Sequence, residues 1–219
     1  MKIQLRYVAM SVIATLMLLA GQSVMAQAGA SAPGFVETFA DKALLKEVRK
    51  GGFVLYMRHG NTDNKRPDMN PIDLNNCETQ RPLNDEGRRV AAAVGKSLRA
   101  AKIPLGEYFH SPLCRARESA YLAFPDQRDQ LKSDRNLMYT ANFTTEEKQP
   151  ILAATRRLLS MPPPSGTNRL VLAHAPNLAD LMGYFVKPEG TVVIIRPLGD
   201  DRFEYLGSIH PAMWPSLIH

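Results

Sequence analysis

The chain reads as an α/β protein, a three-layer sandwich with a mostly parallel central sheet and helices on both faces. Three observations predict it. Residues 53–57 and 170–173 are short, uninterrupted apolar runs, the pattern of strands buried on both faces. Strand patterns alternate along the chain with amphipathic stretches of helical length. The chain is also long enough for one domain with a substantial core and no more.

In order, an amphipathic helix is expected near residues 36–49, stopped by Gly51-Gly52, and then the first strand at 53–57. Residues 61–83 hold three prolines and no period, which marks a binding loop or lid. Asn84 is an N-cap, Asp85 and Glu86 suit the positive end of the next helix, and Val90, Val94 and Leu98 form one apolar stripe. A second strand at 107–110 precedes a helix at 113–124, and a short strand is expected near Leu137. Thr144-Thr145-Glu146-Glu147 opens a helix that ends before Pro162-Pro163-Pro164. After the strand at 170–173, Pro176 suits the first turn of a helix whose Leu178, Leu181, Met182 and Phe185 recur at helical spacing. Residues 191–196 and 203–209 close the fold as a hairpin across Gly199-Asp200-Asp201.

The first residues stand outside this pattern. Lys2 and Arg6 precede an apolar stretch at 7–21, and Val24-Met25-Ala26 is a small-residue cleavage signal. Residues 1–26 are therefore expected to be a secretory signal peptide, 27–35 a flexible lead-in and 36–219 a single domain. The apolar stretch falls short of the ~20 residues of a membrane span, so no stable membrane insertion is expected after cleavage. The mature protein is expected to be periplasmic or secreted. Loss of Lys2 and Arg6 takes the formal charge from +6 to +4. That modest excess suits small anionic substrates, and with no basic run or aromatic ladder it gives no reason to expect a nucleic-acid partner. Cys77 and Cys114 are the only cysteines. In an oxidising compartment a Cys77–Cys114 disulfide is the preferred reading, with two buried free thiols as the alternative. Such a bridge would tie the long loop to the helix that carries Arg115.

The chemistry concentrates where strands end. Arg58, His59 and Gly60 follow the first apolar run, His174 is the first residue past 170–173, and Arg115 stands near a helix start after the strand at 107–110. Open α/β sheets bind ligands at the carboxyl ends of their strands. Parallel neighbours would bring the two histidines and two arginines to one sheet edge, a set suited to a phosphate monoester. His59 would be the nucleophile, kept neutral by the flanking cations. The forked guanidiniums of Arg58 and Arg115 match phosphate oxygens, and His174 would donate to the transferred group. His110, His210 and His219 read as structural. No zinc motif is present, and neither a metal nor a cofactor is expected.

Arg58-His59-Gly60-Asn61-Thr62 resembles the RHGxT signature of the histidine phosphatase superfamily, the phosphoglycerate mutase-like group. Leu83-Asn84-Asp85-Glu86-Gly87 resembles its LTxxG helix start, the 111–120 segment its SPxxRAxxTA stretch, and Val171-Leu172-Ala173-His174 its second histidine. The resemblance implies a phosphoglycerate mutase-like fold and a phosphohistidine on His59. It also implies that Arg58, Arg115 and His174 hold the phosphate, with Asn61 or Thr62 adding a neutral contact. The family's acid, a glutamate, has no clear counterpart; Glu146 is the candidate, with Glu147 and Asp63 near it. An exported phosphomonoesterase follows as the expectation, acting on a small phosphorylated substrate such as an envelope phosphosugar. A phosphoglycerate-type mutase and a catalytically weakened phosphate-binding module are the rivals.

Overall fold

Val54, Leu55, Tyr56 and Met57 alternate between two apolar layers, so the first strand is lined by side chains on both faces. The computed structural model describes residues 34–219. The expected leader and cleavage signal, and all of the expected lead-in except Gly34 and Phe35, lie outside the described residues. The elements are α1 (Lys42–Val48), β1 (Val54–Arg58), α2 (Asp85–Ala100), β2 (Leu105–His110), α3 (Cys114–Ala123), β3 (Leu131–Ser133), α4 (Lys148–Ser160), β4 (Asn168–Ala173), α5 (Ala175–Met182), β5 (Val192–Gly199), β6 (Arg202–Ile209) and α6 (Trp214–Ile218).

The six strands lie in the order β3-β2-β4-β1-β5-β6. The first four run parallel to one another, and β5 and β6 are antiparallel additions beside β1. Leu55, Met57, Leu170, Leu172 and Ile194 face one core with Leu45, Leu98, Ala120 and Trp214 from α1, α2, α3 and α6. Val54, Tyr56, Val171, Ala173 and Val193 face the other, with Leu158, Leu159 and Leu178 from α4 and α5. The fold is the three-layer α/β sandwich that the sequence predicts. Residues 199–201 form the expected hairpin turn, all three with positive φ.

Four expected elements shift, one of them α5, which stops at Gly183 with positive φ, short of the expected Phe185. The first helix begins at Lys42 and not at residue 36, because Asp41 caps it by accepting from Leu44 N at 2.7 Å. The residues before it run extended along β6: Ala40 N donates to Ser208 O and Ser208 N to Thr38 O. Phe35, assigned to the flexible lead-in, stacks on Tyr184 with ring centroids 4.4 Å apart. The strand expected near Leu137 is β3, six residues earlier. Leu137 itself is a fully buried anchor in a 3-10 turn, started where Asp134 accepts from Asn136 N. Helix α4 begins at Lys148 because Pro150 would press on the carbonyl of residue 146 if the helix reached further back. Thr144 and Glu147 make a reciprocal turn ahead of it.

Candidate active site

Three adjacent parallel strands end on one edge. Arg58 is the last residue of β1 and pairs with Ala173, the last of β4, while His59 N donates to Ala173 O at 3.1 Å. His59 and His174 are thereby each the first residue past neighbouring strands, and their rings meet edge to face at 5.1 Å. On the other side of β4, Ser111 N donates to Leu172 O as the chain leaves β2, and α3 then carries Arg115 inward. His59 is 3% exposed, and His174 and Arg115 are fully buried.

Each group is held by identifiable partners. His59 Nδ1 lies 2.7 Å from Gly60 O. A carbonyl only accepts, so Nδ1 carries the proton and Nε2 keeps its lone pair. His174 is clamped at the backbone by Tyr56, whose hydroxyl donates to His174 O and accepts from His174 N. Its Nε2 lies 2.8 Å from Ser111 Oγ. That hydroxyl also accepts from Leu113 N, and in the tautomer where it gives its own proton to Nε2 the ring proton lies on Nδ1. Arg58 donates to Val186 O and to Glu189. Arg115 donates through Nη1 to Asp68 at 2.8 Å and lies over the Tyr139 ring at 5.2 Å.

Arg81 is one of the residues that sequence reasoning missed. It stands near the end of the long loop, and its charge bears on both histidines and on Arg58 and Arg115. The loop is tied down beside it. The bridge Cys77–Cys114 joins it to the first residue of α3, and Gln80 Oε1 accepts from Cys114 N at 2.7 Å. The first amide of that helix is therefore capped by Gln80 and not left open to a ligand.

Five buried nitrogens of these residues have no hydrogen-bond partner: Arg58 Nε, Arg81 Nε, Arg115 Nε, Arg115 Nη2 and His174 Nδ1. An unsatisfied buried donor costs about 1–3 kcal/mol, more when charged. Four on the arginines and one on His174 itself describe a site that an anion with several acceptor oxygens would complete. Asn61 and Thr62 lie beside it in backbone terms: Asn61 O accepts from Asn84 N, and Thr62 pairs with Leu83. Neither side chain makes a hydrogen bond among the described residues. The structure does not join Glu146 to the cluster. It is exposed on the turn before α4, and no hydrogen bond or ion pair of its carboxylate links it to the others among the described residues.

Residues 54–155 match the model of the histidine phosphatase superfamily, branch 1. Over that segment, just under half of the chain, the sequence is similar to the histidine phosphatase superfamily. Among solved structures, the chain is similar to the protein histidine phosphatase SixA complexed with tungstate, with a TM-score of 0.52, 15% identity, and 73% of this chain and 97% of that one covered. It is also similar to an Escherichia coli K-12 protein assigned as an α-ribazole-5′-P phosphatase, with a TM-score of 0.55, 15% identity, and coverage of 74% and 98%. At these identities the likeness is one of fold. No curated protein matches the chain.

Burial first and then Arg115 hold the His59 and His174 imidazoles well below the ordinary histidine value. His110 is lowered too, again chiefly by burial. Below about pH 6.5 the unfolded chain takes up protons that these folded imidazoles refuse, so unfolding becomes easier as pH falls. Urea midpoints are expected to drop between pH 7.5 and 5.5, while activity on an aryl phosphate, if both rings work neutral, holds level past pH 6.5. An activity loss centred at pH 6.5 would contradict it.

Replacing both Cys77 and Cys114 with serine opens a loop of sequence separation 37. A loop of that size is worth about 3–4 kcal/mol. Thermal melting is expected to fall by roughly 10 °C, at about 2–4 °C per kcal/mol for a domain of this size. Because the same loop carries Arg81, KM for a phosphorylated substrate should rise in the variant even at temperatures where it is fully folded.

Proposed function

We propose that the protein is an exported phosphomonoesterase that works through a phosphohistidine on His59. In the first half-reaction the His59 Nε2 lone pair attacks phosphorus, the ester P–O bond breaks, and the alcohol leaves with a proton. In the second, water attacks the phosphohistidine, the N–P bond breaks, its electrons return to Nε2 and inorganic phosphate leaves. Arg58, Arg115 and His174, joined by Arg81, hold the equatorial oxygens through both steps and match the charge that builds on them. Asn61 and Thr62 stand close enough along the chain to add a neutral contact.

One observation carries the reading: an imidazole whose lone pair is left free by its own tautomer, walled in by buried, partnerless N–H donors. The Cys77–Cys114 bridge supports export, since such bonds persist in oxidising compartments such as the periplasm or the cell exterior. The substrate is a small phosphate ester, and phosphorylated sugars of the cell envelope belong in the first screen.

The test is alkali-quenched labelling of the wild type with an aryl phosphate carrying a labelled phosphoryl group. The expected product is a covalent label that survives base and is lost in acid, with steady release of inorganic phosphate. Transfer of the label to an added sugar acid in preference to water would make the protein a mutase. Binding without label would leave only a phosphate-binding module.

A further inference from the structure

We propose that Asp68 is the proton donor for the leaving alcohol, the role for which Glu146 was the sequence candidate; the assignment rests on the phosphatase reading above. Asp68 lies on the long loop between β1 and α2. Its Oδ1 accepts from Arg115 Nη1 at 2.8 Å and from Arg81 N at 2.8 Å, so its carboxyl is held against two of the phosphate-binding residues. Its other oxygen makes no hydrogen bond among the described residues.

Asp68 also lines a cavity of about 380 Å³, which it shares with Met69, Ile72, Met138 and Phe143 among others. Asp68 is the one ionisable side chain in that lining. The cavity adjoins the phosphate cluster through Asp68 and through Met138, whose neighbour Tyr139 packs against both Arg115 and His174. A phosphate ester bridging the two would place phosphorus among the arginines, the alcohol in the cavity and the ester oxygen between them. That seam is where a general acid has to stand. Glu189, the other carboxylate on the cluster, is held by Arg58 and does not line the cavity.

The proton balance closes over a cycle. Asp68 is an ion-paired carboxylate in the free protein, so the substrate, bound as a phosphate monoanion, brings the proton. Its P–OH passes it to Asp68 as the phosphate takes over Arg115. As Nε2 bonds to phosphorus and the P–O bond breaks, the Asp68 carboxyl gives it to the departing oxygen and becomes a carboxylate. That carboxylate then takes a proton from the water that attacks the phosphohistidine. Asp68 is thereby protonated again, returns that proton to the departing phosphate and pairs once more with Arg115.

Asp68→Asn separates this role from simple support of Arg115. A nitrophenolate scarcely needs an acid to leave, whereas an alkoxide does. The readout is kcat/KM, which reports the phosphorylation step and not the later hydrolysis, on 4-nitrophenyl phosphate beside 2-phenylethyl phosphate. On the alkyl ester the variant is expected to lose about 10²–10⁴-fold. On the aryl ester it should lose less than about tenfold, and Asp68→Glu should recover part of the alkyl activity. Equal losses on both esters would overturn the assignment and make Asp68 a positioning residue for Arg115. A selective alkyl loss in Glu146→Gln would return the role to Glu146. A wild type that takes no label and hydrolyses neither ester would sink the phosphatase reading itself, and this proposal with it. A folding defect in Asp68→Asn is read from its melting curve, and the Asp68→Glu comparison on the two esters then decides in its place.

Discussion

Replacing His59 with alanine is expected to reduce kcat on an aryl phosphate by about 10⁵-fold or more, as removal of a nucleophile does in other covalent enzymes. No other side chain can take over. His174 is the nearest imidazole, but its Nε2 is engaged by Ser111 and its backbone is clamped by Tyr56 on both the N–H and the carbonyl. The variant should fold, because His59 makes one side-chain hydrogen bond, to the carbonyl of the next residue, and the strand before it is secured by β4 and β5. The check is loss of both turnover and acid-labile label in a protein with an intact melting transition. Label retained in His59→Ala would move the nucleophile elsewhere.

Arg115→Met is expected to separate activity from stability. On the catalytic side it removes two of the five partnerless donors and the cation that bears most on both imidazoles after burial itself. A loss of about 10³-fold in kcat/KM follows if one such donor is worth 10²–10³. Arg115→Lys should rescue little, since an ammonium cannot present the planar fork. On the folding side two effects oppose each other. Breaking a buried ion pair costs about 3–5 kcal/mol, though Asp68 is partly exposed and keeps its bond from Arg81 N. Against this, two buried, unsatisfied donors disappear, each worth about 1–3 kcal/mol, together with the repulsion from Arg81. The ligand-free variant should therefore melt no lower than the wild type, as expected where a site is built for charge it does not itself contain. Added inorganic phosphate should raise the wild-type melting temperature and leave that of the variant unchanged. A fall of many degrees without ligand would show that Arg115 is chiefly structural.

What could be read without coordinates divides along a physical line. Arg58, His59 and His174 sit at the ends of apolar runs, and a buried run announces both its length and its exit point. Parallel pairing of β1 with β4 then makes the exits neighbours. Arg81, Asp68 and Glu189 lie in connections that have no period, where nothing local separates a side chain that turns inward from one in water. One signal for Arg81 was present. Cys77 stands four residues before it and Cys114 next to Arg115, so a bridge between the cysteines places the two arginines in one neighbourhood. Glu146 was attractive by position in sequence, but the residues around it form a capping turn ahead of α4, and acidic side chains collect at helix starts for reasons unrelated to chemistry. The early start assigned to α1 failed for a similar reason: an amphipathic stretch does not say where its helix begins unless the cap is weighed against it.

The start of α2 sits directly against the turn after His59. A Cβ added at Gly60 would lie 2.2 Å from Gly87 O, and one added at Gly87 would lie 2.0 Å from Asn61 O. The Arg-His-Gly triplet and the helix-start motif some twenty-five residues later are thus two halves of a single joint. Neither half can drift under mutation while the other stays put, because a methyl group on either side would prise the helix away from the imidazole's own backbone. Lineages descended from this chain should keep both glycines or lose the joint altogether, and a descendant carrying alanine at one of them should have given up turnover before it gave up the sheet.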